Sequence, residues 1–138
     1  MERILTEEDV RHVLKRFPLY HAGHKVIVNS IKLIPDAVTV SYRTNNGDHR
    51  GTTHLSLQFQ DDTCYIVGIG LEPCYRGLGL GEELYRISKN IARQAGSGKI
   101  VMTPSGTTAT GETRSDYLKR KLGYRQIVIG SVEVQKLL

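Results

Sequence analysis

The chain has 138 residues, enough for one domain with its own core and no need of disulfide or metal staples. Hydrophobic residues make up 39% and charged residues 24%, which excludes disordered and fibrous classes, and no apolar run approaches the roughly eighteen residues of a membrane span. A formal charge of +5 suits a polyanionic small ligand, a nucleic acid or a plain solvated surface, without choosing among them.

The first residues, "MERILTEEDVRH", lack the layout of a signal peptide, so the cytoplasm is the expected location. Thr6 and Asp9 have capping-box spacing, with Glu7 and Glu8 in the first turn. Val10, Val13, Leu14 and Phe17 then recur at helical intervals, predicting an amphipathic helix over 7–17 that stops at Pro18. The segment "PLYHAGH" reads as a loop. Four strands follow. The first covers 25–34 and ends at the Pro35-Asp36 turn. Val38, Val40 and Tyr42 alternate up to "NNGD", and Leu55, Leu57 and Phe59 alternate up to Asp61-Asp62. "CYIVGIGL", 64–71, is a nearly continuous apolar run, as in a strand buried on both faces. Short turns between the four imply an antiparallel meander.

After Tyr75 the period changes. Leu80, Leu84, Ile87 and Ile91 fall on one helical face, and "AGSG" at 95–98 ends that helix. Lys99 to Thr103 is a short strand, reached by a helix long enough for a parallel crossover. The polar stretch "PSGTTATGE" precedes Thr113-x-x-Asp116, which caps a helix carrying Leu118 and Leu122 and ending at Gly123. Residues 124–129 and 131–137 read as two strands about a Gly130-Ser131 turn. The expected fold is α/β: a mixed sheet with an antiparallel meander, one parallel crossover and a closing C-terminal hairpin, in a single domain over 1–138.

Cys64 and Cys74 are ten residues apart in largely extended chain. Such a strand spans roughly 33 Å, whereas a disulfide needs Cα atoms within about 7 Å, so they do not bridge within one strand. The five histidines are scattered, and His21-x-x-His24 alone is a weak signal, so no metal site is expected.

"YRGLGLGEELYR", 75–86, sets Gly77, Gly79 and Gly81 against the start of the long helix. A Walker A loop fails for want of Lys-Ser or Lys-Thr after the glycines. A dinucleotide fingerprint fails at Glu82 and would follow the first strand of a βαβ unit. Two readings stay open. Glycine relieves crowding in a tight strand-to-helix turn, or it bares a row of amides for a diphosphate at a helix N-terminus.

"LEPCYRGLGLGEELY" resembles the most recognisable segment of the GNAT superfamily of acetyl-CoA-dependent N-acyltransferases, with Arg76, Gly79 and Gly81 at its Arg/Gln-x-x-Gly-x-Gly/Ala positions. "YLKRKLGYRQI", 117–127, is similar to that family's later helix ending in Leu-Gly-Phe/Tyr. The resemblance covers residues 63–127. It implies that Leu71, Arg76, Gly77, Leu78, Gly79, Leu80 and Gly81 bind coenzyme A, the loop amides of 76–81 holding its diphosphate and the edge at Leu71 pairing with the pantetheine arm. It also implies a sheet that splays between 63–71 and 99–103, with the thioester of acetyl-CoA in the gap and an amine acceptor entering from the other side.

Acyl transfer from a thioester to an amine needs a neutral amine, a polarised carbonyl and a proton for the leaving thiolate. Glu72, just past the buried strand, is the carboxylate nearest the expected reaction centre and is the candidate base, acting through water; a solvated strand end is its plainer reading. The family's acid is often a tyrosine before Leu-Gly-Phe, but that position here is Lys119, and Tyr117 stands two places early. Either a one-residue irregularity lets Tyr117 reach the thiol, or no tyrosine does that job. Arg114, Lys119, Arg120, Lys121 and Arg125 form a basic cluster. A solvated helix face explains it best, ahead of a 3′-phosphate or nucleic-acid contact. The reading is thus an acetyl-CoA-dependent N-acyltransferase, with a non-catalytic module of the same fold, binding a protein or nucleic acid, as the alternative. Neither the acceptor nor the oligomeric state is legible.

Overall fold

The computed structural model describes residues 5–21, 24–46, 49–70, 80–104, 111–126 and 133–138. The predicted glycine loop from Leu71 to Gly79, the Gly47-Asp48 turn, most of the polar stretch before Thr113 and the Gly130-Ser131 turn lie outside them. Helix α1 (Glu7–Arg16) begins in the expected capping box: Thr6 accepts from the Asp9 amide, and Asp9 accepts from the Thr6 amide at 2.9 Å. Val10, Val13 and Leu14 are its buried face. The helix stops at Arg16, with Phe17 as its cap.

The segment expected to be a loop instead forms a short antiparallel ribbon, β1 (Tyr20–His21) against β2 (His24–Lys25). The predicted strand over 25–34 is interrupted at Val26, which turns into the core and donates its amide to the Leu19 carbonyl at 2.8 Å. Burying Leu19 and Val26 side by side is what closes the ribbon.

The meander is β3 (Ile27–Ile34), β4 (Ala37–Asn46), β5 (His49–Gln60) and β6 (Thr63–Gly70), paired antiparallel in sequence order. Val38, Val40 and Tyr42 of β4 and Leu55 and Leu57 of β5 are buried on the inner face. Thr39, Ser41, His54, Ser56 and Gln58 alternate onto the outer face, where Thr39 and Ser56 share a hydrogen bond of 3.2 Å. The apolar run of β6 is not buried on both faces. Thr63, Cys64 and Ile66 are buried, but Val67 is 58% exposed. The register explains why: Ser56 faces Gly68 and Leu57 faces Ile66, so Val67 is an extra residue bulged out of the ladder.

Helix α2 (Leu80–Gln94) buries Leu84, Ile87 and Ile91 on the sheet and packs on α1, where Gln94 donates to Asp9 at 3.3 Å. It crosses over to β7 (Lys99–Met102), which lies parallel to β6 as expected. The amides of Gly98 and Lys99 donate to the Asp62 carbonyl at 2.8 and 3.3 Å, tying the two strand starts together and setting that register. Helix α3 (Arg114–Leu122) is capped by Thr113, whose hydroxyl accepts from the Asp116 amide, and ends at Gly123 in the left-handed region (φ 76°). β8 (Arg125–Gln126) and β9 (Val134–Leu137) pair antiparallel, with β9 against β7. Among the described residues the main sheet therefore runs β3-β4-β5-β6-β7-β9-β8, antiparallel except at β6–β7. The predicted α/β class and strand directions are those of the structure.

Candidate active site

The site starts where two neighbouring strands stop being neighbours. β6 pairs with β7 over four residues, from Thr63–Lys99 to Ile66–Met102. On its other side β6 continues to pair with β5 as far as Gly70. The bulge at Val67 follows the last β6–β7 pair, so residues 67–70 present one backbone edge that β7 does not cover. An edge of that kind accepts an extended, amide-bearing chain.

The N-terminus of α2 lies beyond the end of this edge in the chain. Leu80 is buried and Gly81 half-buried in its first turn. Glu82 and Glu83 follow, favourably placed for the helix dipole but repulsive to any anion arriving there. Arg86 offsets them, holding Glu82 at 2.7 Å and Glu83 at 2.8 Å. These are exposed pairs of small energetic weight. Their effect is to neutralise the mouth of the turn.

Helix α3 packs beside this turn. The Tyr117 phenol stands near the Glu82 carboxylate, and its ring is half-buried against the core. Burial raises the Tyr117 phenol above its ordinary value, the Glu82 charge adds to the rise, and Arg86 and Arg120 oppose it. The phenol is consequently protonated at neutral pH. Tyr85, one turn along α2, is pushed up to about 12, mainly by burial, with Arg114 pulling it down. Arg120, counted above in the basic cluster, is held by Glu112 through two contacts of 2.9 and 2.8 Å. Cys64 is not a nucleophile for this site: its buried thiol is pushed up to about 12.

On the outer face, His54 of β5 sits directly opposite Gly70 of β6. Its ring lies over that strand. A Cβ built on Gly70 would overlap the ring at Cε1 and both nitrogens, and one built on Gly68 would come within 4.0 Å of Nε2. The reading by motif passed over His54. The signal was Gly68-Ile69-Gly70, since glycines inside a strand mark a bulge or a close approach.

A sequence model of the acetyltransferase (GNAT) family matches residues 10–124. The chain belongs to that family. The GNAT fold also accounts for its likeness to solved structures. A crystal structure of nourseothricin acetyltransferase superposes with a TM-score of 0.56 at 15% identity, covering 99% of this chain and 97% of that one. A structure from Klebsiella pneumoniae subsp. pneumoniae, assigned as an acyl-CoA N-acyltransferase, gives 0.53 at 17% identity, covering 100% and 95%. Identities this low speak to fold alone. Comparison with curated protein sequences gives no match.

Of the residues that the sequence singles out, Leu80, Gly81 and Tyr117 are described, and Tyr117 stands near Glu82, the residue after Gly81 in the first turn of α2. Leu71, Glu72, Arg76, Gly77, Leu78 and Gly79 lie outside the described residues. No described helix is long and apolar enough to cross a membrane.

Proposed function

We propose that this GNAT protein is a cytoplasmic enzyme that transfers an acyl group, acetyl foremost, from coenzyme A to an amine acceptor. The observation that carries the reading is the uncovered edge at 67–70, which leads toward the glycine turn before α2. Peptide-like amides of a pantetheine arm match such an edge, and free amides at a helix N-terminus match a diphosphate. In this proposal the strand end at Leu71 pairs with the arm. The amides of Arg76, Gly77, Leu78, Gly79, Leu80 and Gly81 hold the diphosphate, while Arg86 offsets the two glutamates behind them.

Coenzyme A supplies an activated acyl carbonyl; the chain's own residues place it and move protons. Tyr117 is the proposed proton donor to the leaving sulfur, its phenol kept neutral by burial and by Glu82. Glu72 is the proposed carboxylate at the end of β6. The alternative of a non-catalytic module rests on the basic cluster. With Arg120 committed to Glu112, that cluster has one free cation fewer, and the enzymatic reading is preferred.

The test is a melt with and without acetyl-CoA, followed by mass spectrometry of products from a mixed amine library. Acetyl-CoA is expected to raise Tm, as a ligand selective for the native state does. Gly79→Val is expected to abolish the shift, because its side chain fills the diphosphate path. An undiminished shift in that variant removes the cofactor assignment, and a shift without any acylated product favours the non-catalytic alternative.

A further inference from the structure

We propose that His54 takes the proton from the acceptor amine, which puts the acceptor on the sheet face away from the helices. The inference rests on the acyl-transfer reading above and moves the first proton acceptance from Glu72 to His54.

The first support is position. His54 faces Gly70, the last described residue of β6, at the far end of the edge that β7 leaves uncovered. An arm whose diphosphate sits past Gly70 runs back along 67–70, so its thioester lies on the stretch that the His54 ring overlies, from Gly70 toward Gly68. The second support is access. Behind the same stretch of β5 the inner face is filled by Tyr42, Thr53 and Leu55, all buried, and helices α1 and α2 pack on that side. An acceptor therefore reaches the strand end from the outer face. There the neighbours of His54 are small and polar: Ser41 directly across on β4, and Ser56 and Thr39 beside it.

The third support is the pair of glycines. A histidine that is only a solvated surface group needs no glycine beneath it, and glycine weakens a strand interior. Here Gly68 and Gly70 both stand under one imidazole, and any side chain at 70 would displace the ring. The strand gives up a side chain at Gly70 to let His54 lie against its backbone, and Gly68 leaves room beside Nε2. Imidazole is the side chain suited to exchanging protons near neutrality, and it acts within hydrogen-bond reach or through one water.

A proton leaves the acceptor's ammonium nitrogen for a ring nitrogen of His54. The freed lone pair bonds to the thioester carbonyl carbon; as the carbon–sulfur bond breaks, the nitrogen loses its second proton to solvent, which also reprotonates Tyr117 where that residue has served as donor. The departing sulfur takes a proton from Tyr117 or solvent. The imidazolium returns its proton to solvent, to which the ring is open. In this scheme Glu72 is not the first proton acceptor.

The experiment uses the full chain, acetyl-CoA and whichever amine the parent acetylates. His54→Ala, His54→Gln, Gly70→Ala and Glu72→Gln are compared by kcat/KM and by the thermal shift with acetyl-CoA. His54→Ala and His54→Gln are expected to lose about a hundredfold or more in kcat/KM, with the thermal shift unchanged. Added imidazole is expected to restore much of the rate to His54→Ala but not to His54→Gln, whose side chain fills the space. Gly70→Ala, which pushes the ring aside without disturbing the core, is expected to lose activity in the same direction. The inference is overturned if His54→Ala keeps the parental rate, if Glu72→Gln alone is damaging, or if imidazole fails to rescue the alanine variant. A parent with neither thermal shift nor product instead removes the acyl-transfer reading itself.

Discussion

Tyr42 and Thr53 face each other across β4 and β5, 2% and 3% exposed, and neither hydroxyl has a hydrogen-bond partner among the described residues. Burial alone lifts the Tyr42 phenol well above the usual tyrosine range. A buried hydroxyl left unpaired costs about 1–3 kcal/mol relative to its hydrated state. Removing it while keeping the ring recovers part of that, so Tyr42→Phe is expected to stabilise the protein by about 1 kcal/mol. For 138 residues the unfolding entropy at the midpoint is roughly 0.3 kcal/mol/K, so Tm should rise by about 3 °C. Thr53→Val, nearly the same shape, should act in the same direction. Urea melts of the parent, both single variants and the double variant measure this and the coupling between the sites. A fall in stability of more than about 0.5 kcal/mol in Tyr42→Phe would mean that the hydroxyl is satisfied in solution, and the reasoning would be refuted.

Three further outcomes follow from the same geometry. Cys64 and Tyr85 are both pushed up to about 12 from ordinary values of 9.0 and 10.0, so their neutral burial stabilises fully below about pH 9. That stability drains away as pH rises toward 12; denaturant melts across this range should show the fall, and Cys64→Val should delay its onset toward pH 10. Gly123→Ala should cost about 1 kcal/mol, because the φ of 76° is strained for any side chain although the space beside it is open; an unchanged melt would contradict the cap. Tyr117→Phe is expected to lower kcat at least tenfold while sparing the acetyl-CoA thermal shift, whereas Lys119→Met changes kcat little; the reverse result would make Lys119 the acid.

Local rules made most of the fold legible. Thr6 with Asp9, Thr113 with Asp116, and Gly123 each settle a helix end through contacts within one turn, so the sequence carries the whole cause. The alternation of Val38, Val40 and Tyr42 likewise names the inner face. What escaped depends on partners distant in the chain. Val26 interrupts a strand because its amide bonds Leu19 and its side chain joins the core. The run "CYIVGIGL" looks uniformly apolar because one of its residues, Val67, is a bulge, visible only against β5. In the site, the glycine motif announced itself through its residue types. The Tyr117–Glu82 contact did not, since it joins α2 to α3 across thirty-five positions of chain. His54 was hidden for the same reason: its meaning lies in which strand it covers.

The brevity of the β6–β7 ladder has a mechanical side. Four rungs join the meander to the C-terminal strands, whereas β4 and β5 share ten. The sheet is thus two stiff panels on a short seam, braced by α2 from one side. A chain that lies along residues 67–70 extends that seam with new rungs where there were none, and both panels lose freedom together. Amide protons of β9, on the far side of β7 from residues 67–70, should therefore exchange more slowly when it is bound.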